Sequence, residues 1–148
     1  MSSVVTKLEN GDEVVESQIR QPVNPFDGQV GGSHYKQFQI QPVVLFDNFN
    51  LGFNEGNLIK YAMRHHDKDG RKDLDKVIHY ADLMIQFNNP IGLFIPMDYI
   101  EHYVSVNGLT LYAREVIEEV SLWLMNRSNE HLRNIQKLTE VEIYENYR

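Results

Sequence analysis

The chain has 148 residues, 42% of them apolar and 24% charged, which fits one folded domain with a real core and excludes both a disordered chain and a multidomain machine. Fourteen Lys and Arg against 21 Asp and Glu leave a formal charge of −7, so no direct nucleic-acid binding is expected and any polyanion site must be local. With no cysteine, disulfides, thiolate nucleophiles, cysteine-ligated zinc and iron–sulfur clusters are all removed.

Residues 1–30 contain Gly11, Pro22, Pro25 and Gly28, show no sustained hydrophobic period, and hold more acids than bases. They read as a mobile or loosely docked N-terminal arm, ahead of a single domain over 31–148. The first fifteen residues carry charges where a secretory signal needs an apolar run, and no later stretch approaches a membrane span. The expectation is a soluble protein of a reducing cytoplasm, without a membrane partner.

From Pro42 onward apolar residues recur at helical spacing, and no segment alternates strictly enough for a sheet, so the fold class is mainly α. A short helix over 42–50 opens on Pro42, where the missing N–H costs nothing, and Gly52 ends it. A second runs over about 54–66, with Asn54 as the expected cap and Glu55 at the positive end of the dipole. Asp67-Lys-Asp-Gly70 reads as a turn into a third helix over about 72–88. That helix has Leu74, Val77, Ile78, Ala81, Met84 and Ile85 on one face and stops before Pro90. These two helices make a helical hairpin, the base of a small helical domain. A crossover over 89–96 follows, then C-terminal helices within 97–148: about 97–106, 110–126 and 129–146, the last capped by Ser128 or Asn129.

Cations are unevenly placed. Residues 51–80 hold Lys60, Arg64, Lys68, Arg71, Lys72 and Lys76 against five acids, in a chain that is otherwise strongly acidic. At 100° per residue, Asn57, Lys60, Tyr61, Arg64 and Lys68 share one side of their helix, opposite Leu58, Ile59, Ala62 and Met63. The bland interpretation is a solvated face. Asn57 and Tyr61 are poor solubilising residues, however, and the partner helix offers Asp73, Lys76 and Tyr80 at i, i+3, i+7. A cleft between the two would give Lys and Arg donors to phosphate oxygens, tyrosines to stack on a base, and Asn57 to read its edge. No P-loop or dinucleotide fingerprint occurs, so side chains would have to hold the phosphate.

The ordered set Ser33-His34-Tyr35, Ile40-Gln41-Pro42, Gly56-Asn57-x-x-Lys60-Tyr61-x-x-Arg64, Lys68-x-Gly70, Asp73-Leu74-x-Lys76 and Tyr80 resembles, over about residues 31–85, a phage-encoded family of unknown-function proteins. That family includes a P-loop-lacking nucleotide kinase that phosphorylates dTMP and dGMP and assembles into a large homo-oligomer. The resemblance implies a nucleoside monophosphate kinase in the cytoplasm of an infected bacterium, with ATP or a dNTP as phosphate donor and Mg²⁺ accompanying the nucleotide. It implies Lys60, Arg64 and Asp73 as catalytic groups, with Asp73 either holding Mg²⁺ through water or orienting the acceptor phosphate. It further implies Ser33, His34, Tyr35, Asn57, Tyr61, Lys68, Lys76 and Tyr80 as nucleotide contacts. Two departures from the family pattern stand out: Val77 where a small residue is usual, and an acidic loop from Asp67 to Arg71.

Two other functions compete. Glu115, Glu118 and Glu119 share a helix face and, with Asp75 and Asp82, resemble the metal-binding acids of the all-helical dNTP pyrophosphohydrolases. An acidic phage protein that captures a host protein or sequesters a nucleotide without turnover is the other. His65-His66 lacks metal spacing on one helix face and reads as helix-end filler; His79, His102 and His131 are isolated. Leu109, Leu111, Tyr112, Val116, Ile117, Val120, Leu124 and Met125 exceed what a hairpin needs for its core, so a homo-oligomer is expected.

Overall fold

The computed structural model describes residues 5–7, 13–15 and 38–147. Its elements are β1 (Val5–Lys7), β2 (Glu13–Val15), α1 (Pro42–Asn48), α2 (Phe53–Arg64), α3 (Arg71–Phe87), α4 (Met97–Asn107), α5 (Leu111–Asn126) and α6 (Glu130–Asn146). The fold is mainly α, and every expected helix forms within about two residues of its expected ends. The two short strands were not expected: they pair antiparallel, Val5 opposite Val15 and Lys7 opposite Glu13. Val5, Thr6, Val14 and Val15 are β-branched and suit a ladder. The remainder of the expected arm lies outside the described residues.

Helices α2 and α3 form the hairpin, α3 packs on α6, α6 on α5, and α5 back on α2. This closes a ring of four helices around one core, with α1 laid on α2 and α4 on α5. Leu58, Ile59, Ala62 and Met63 of α2 and Leu74, Val77, Ala81 and Met84 of α3 are all buried there. So are Tyr112, Val116, Ile117, Val120 and Leu124 of α5, together with Trp123. The apolar surplus ascribed to the last helices is thus mostly the chain's own core, leaving Leu111 and Met125 exposed from that set. Exposed apolar side chains gather instead around the crossover, at Phe87, Ile91, Leu93 and Phe94.

Irregular segments are tied down by side chains. Asn107 at the end of α4 exchanges two 2.9 Å hydrogen bonds with the backbone of Ile40. Ser121 Oγ accepts from the Ile95 N–H and donates to the Ile95 carbonyl, both at 2.8 Å, which anchors the crossover to α5. Gly70 begins α3 with φ +56°, and Tyr147 lies 3.3 Å from where a Cβ would stand. The positive φ favours glycine at that point, and the tight approach of the Tyr147 ring adds to the preference.

One expected cap is corrected, and the Ser128–Asn129 cap of the last helix forms with the two residues sharing the role. Gly52, not Asn54, occupies the N-cap of α2, because the helix starts one residue earlier, at Phe53, and places Glu55 at its third position. Asn129 holds the N-cap position of α6 with helical backbone and no side-chain cap bond. The hydroxyl of Ser128 accepts from the Glu130 N–H at 3.3 Å instead.

Candidate functional site

The hairpin sets the site's geometry. Because α3 runs back along α2 from the turn at 65–70, Arg64 meets Asp73 beside the turn, Tyr61 meets Lys76 about one helical turn further, and Tyr61 and Phe53 meet Tyr80 beyond that. Lys60 Nζ, Arg64 Cζ and Lys76 Nζ lie 4.6, 4.5 and 4.7 Å from the centroid of the Tyr61 ring, inside cation–π range. The Tyr61 ring in turn stacks on Tyr80 at 5.9 Å and 13°, with Phe53 edge-on to Tyr80 at 6.1 Å.

Beneath these cations lies a buried ion pair. Asp73 is fully buried, and Arg64 grips both of its oxygens, Nε to Oδ2 and a terminal nitrogen to Oδ1, each at 3.2 Å. Lys76 reaches Oδ1 at 3.8 Å, and Arg64 also touches Asp69 at 3.8 Å on the rim. The fork is the geometry in which guanidinium recognises carboxylate best, so Asp73 fixes the direction in which Arg64 points. Burial first, then the neighbouring Arg64 and Lys76 charges, push the Lys60 amine below its ordinary range, against a smaller pull from Asp73. Lys60, Arg64 and Lys76 face the two carboxylates of Asp69 and Asp73, so the cluster carries more positive than negative charge.

Beside Lys60 a cleft of about 250 Å³ is lined by Phe46, Leu51, Phe53, Gly56, Asn57 and Lys60. Asn57 Nδ2 donates to the Phe53 carbonyl at 2.8 Å, which holds its amide on the cleft wall. On the other side of Phe53 a second cavity, of about 200 Å³, includes Glu55, Met84 and Trp123. Burial raises the Glu55 carboxyl above its usual value, and the Trp123 Nε1 is buried without a hydrogen-bond partner.

Of the expected residues, the structure brings together Lys60, Tyr61, Arg64, Asp73, Lys76 and Tyr80, with Asn57 on the adjoining cleft. Lys68 stands exposed in the turn and makes no hydrogen bond, ion pair or ring contact with them. Ser33, His34 and Tyr35 lie outside the described residues. Asp73 does not fit a Mg²⁺ ligand, because one guanidinium already holds both carboxylate oxygens.

Four of the five acids of the pyrophosphohydrolase pattern are paired elsewhere, Glu118 to Arg114 and Glu119 to His131, each at 2.8 Å, Asp82 to Gln136 at 2.7 Å, and Asp75 to Arg71 at 4.0 Å; Glu115 lines a groove with Glu118 and Glu119. Among the described residues none of them belongs to a group of ligands close enough to share an ion.

Sequence reasoning missed Phe53, which is 76% exposed at the junction of the two cavities; a large aromatic directly after the helix-starting Gly52 was the available signal. It also misread His65-His66. His65 is buried to 1% exposure, and burial together with its neighbour His66 pulls it down to about 4. A side chain so enclosed is no filler.

Among the described residues no helix is long and apolar enough to cross a membrane. Neither a curated protein nor a solved structure matches the chain. A family model described as a protein of unknown function (DUF3310) matches residues 29–82, a stretch that includes every member of the cation cluster, so over that stretch the chain is similar to this family.

Proposed function

We propose that the chain is a nucleoside monophosphate kinase that transfers a phosphoryl group from a nucleoside triphosphate to dTMP or dGMP. The observation that carries this reading is the convergence of Lys60, Arg64 and Lys76, from two helices, on one tyrosine ring. Three cations held this close repel one another, which adds to burial in lowering the Lys60 amine, and a phosphate dianion relieves that repulsion. The base then rests against Phe53 in the cleft beside Asn57, while Lys60 and Lys76 meet the phosphate oxygens.

An oxygen of the acceptor's 5′-phosphate attacks the γ-phosphorus of the donor, and the bond from that phosphorus to the β–γ bridging oxygen breaks. The products are a deoxynucleoside diphosphate and a nucleoside diphosphate. The second ionisation of a phosphate monoester lies near pH 6, so the nucleophile is already deprotonated at pH 7 and needs no general base. What remains for the protein is positioning and the stabilisation of charge on the transferred group. Lys60, Lys76 and the Asp73-oriented Arg64 supply both, and Mg²⁺ enters as part of the triphosphate substrate. The similarity over residues 29–82 supports a site built on the hairpin. Self-association belongs to the same reading, with the exposed Phe87, Ile91, Leu93 and Phe94 as the available apolar surface.

The test is to incubate the purified full chain with each dNMP, ATP and Mg²⁺ and to separate products by ion-exchange chromatography. Diphosphate from dTMP and dGMP is expected, falling roughly 100-fold or more in Lys60→Ala and Lys76→Ala. Monophosphate plus pyrophosphate released from a dNTP, or tight binding without product, would overturn the kinase assignment in favour of a hydrolase or a sequestering protein.

A further inference from the structure

We propose that His65, His66 and Glu142 form a binding site for a single zinc-class divalent ion, clamping the end of α2 to the end of α6. One nitrogen from each ring and one carboxylate oxygen lie within 4.8 Å of one another. A tetrahedral zinc site with bonds of about 2.0–2.1 Å spaces its ligand atoms roughly 3.3 Å apart. Closing the difference falls to His66 and Glu142, which are exposed and half-buried, rather than to the enclosed His65 ring.

The strongest indication is an orphaned atom. His65 Nε2 is buried with no hydrogen-bond partner, in a ring that is 1% exposed, and such orphans are rare without a reason. Its other nitrogen explains which kind of orphan it is. Tyr147 Oη donates to the His65 carbonyl oxygen at 3.4 Å and lies 2.9 Å from His65 Nδ1. In the tautomer with the proton on Nδ1, Nδ1–H donates to the phenol oxygen, the phenol proton turns to the carbonyl, and the lone pair falls on Nε2; that is the tautomer a metal ion would select. A ring held by one nitrogen with the other presented as a bare base is how metal-binding histidines are oriented.

The second ligand arm has the same support. Glu142 Oε1 accepts from Asn146 Nδ2 at 2.7 Å, so the carboxylate is itself steered. The His66 ring lies tilted by 40° against His65 with centroids 3.8 Å apart, so the two imidazoles are already side by side. Two imidazoles and one carboxylate suit Zn²⁺, Co²⁺ or Ni²⁺ far better than Mg²⁺, and three protein ligands leave a fourth position for water. This site is separate from the cation cluster and does not depend on the kinase reading.

Untagged full-length protein, stripped with a chelator, is titrated with Co²⁺ and followed by visible absorption, then with Zn²⁺ against a chromophoric competitor. The expected result is one ion per chain, absorption of a four-coordinate nitrogen–oxygen Co²⁺ site, and a melting temperature that rises with Zn²⁺. His66→Ala and Glu142→Gln, both outside the core, are expected to weaken binding at least about tenfold, and Asn146→Ala roughly tenfold. Absence of stoichiometric binding, or binding unchanged in both ligand variants, would overturn the assignment.

Discussion

Replacing Arg64 by alanine strands a fully buried carboxylate. Asp73 has no exposed surface, and two of its closest contacts come from the Arg64 fork at 3.2 Å. Breaking a buried pair from one side typically costs 3–5 kcal/mol. Lys76 at 3.8 Å and the Asp69 N–H at 3.4 Å stay behind, so the lower end, about 3 kcal/mol, is expected. For a chain of this length that is a fall of roughly 6–12 °C in melting temperature. Urea unfolding of wild type, Arg64→Ala, Asp73→Ala and the double variant gives the coupling directly. Removing both partners removes the stranded charge, so the double variant is expected to be no less stable than Arg64→Ala, with a coupling energy of about 2 kcal/mol or more. Additive losses, or an Arg64→Ala variant within about 0.5 kcal/mol of wild type, would refute the buried-pair reasoning. The same result decides how kinetic data are read: lost activity in Arg64→Ala mixes unfolding with lost chemistry, which is why Lys60 and Lys76 carry the functional test.

Further outcomes follow from individual residues. Because burial raises the Glu55 carboxyl above its unfolded value, the folded state holds that proton more tightly, and stability present below the unfolded value near 4.5 is lost as pH rises through the folded one. Glu55→Gln is therefore expected to be more stable than wild type at pH 7, with the gap narrowing below about pH 4.5 in a denaturation series. Gly70→Ala meets both a forbidden backbone angle and the Tyr147 ring, so a loss of about 1–2 kcal/mol by urea unfolding is expected. Phe53 is mostly exposed, so Phe53→Ala should leave the melting temperature unchanged while weakening dTMP binding by roughly 1–3 kcal/mol in calorimetry, the usual worth of an aromatic stacked on a base.

The helices were legible in the sequence because their signals are local. Pro42 at a first turn, the i, i+3, i+4 stripe of Leu58, Ile59, Ala62 and Met63, and Pro90 after α3 each act within a few residues. The cation cluster was legible for a related reason: a short turn forces two helices antiparallel, so Lys60, Arg64 and Lys76 converge once the hairpin is drawn. Burial was not legible. Asp73 looks like an ordinary first-turn acid until Arg64 closes on it, and Glu55 looks like a helix-start charge until α3 and α5 bring Met84 and Trp123 over it. Contacts between distant segments carried no local signal at all. His65 meets Glu142 and Tyr147 only because α6 returns along α3, and Asn107 pins Ile40 across most of the domain. The strand pair was missed because three-residue strands are too short to show a period.

The central claim is that Lys60, Arg64 and Lys76 act as one anion site. Isothermal titration of dTMP into the full chain, at two salt concentrations, measures this directly. Saturable one-to-one binding that weakens with salt is expected, with Lys60→Ala and Lys76→Ala each losing about tenfold or more in affinity while both stay folded at the assay temperature and Lys60→Ala melts like wild type. Equal affinity in wild type and both variants would contradict it.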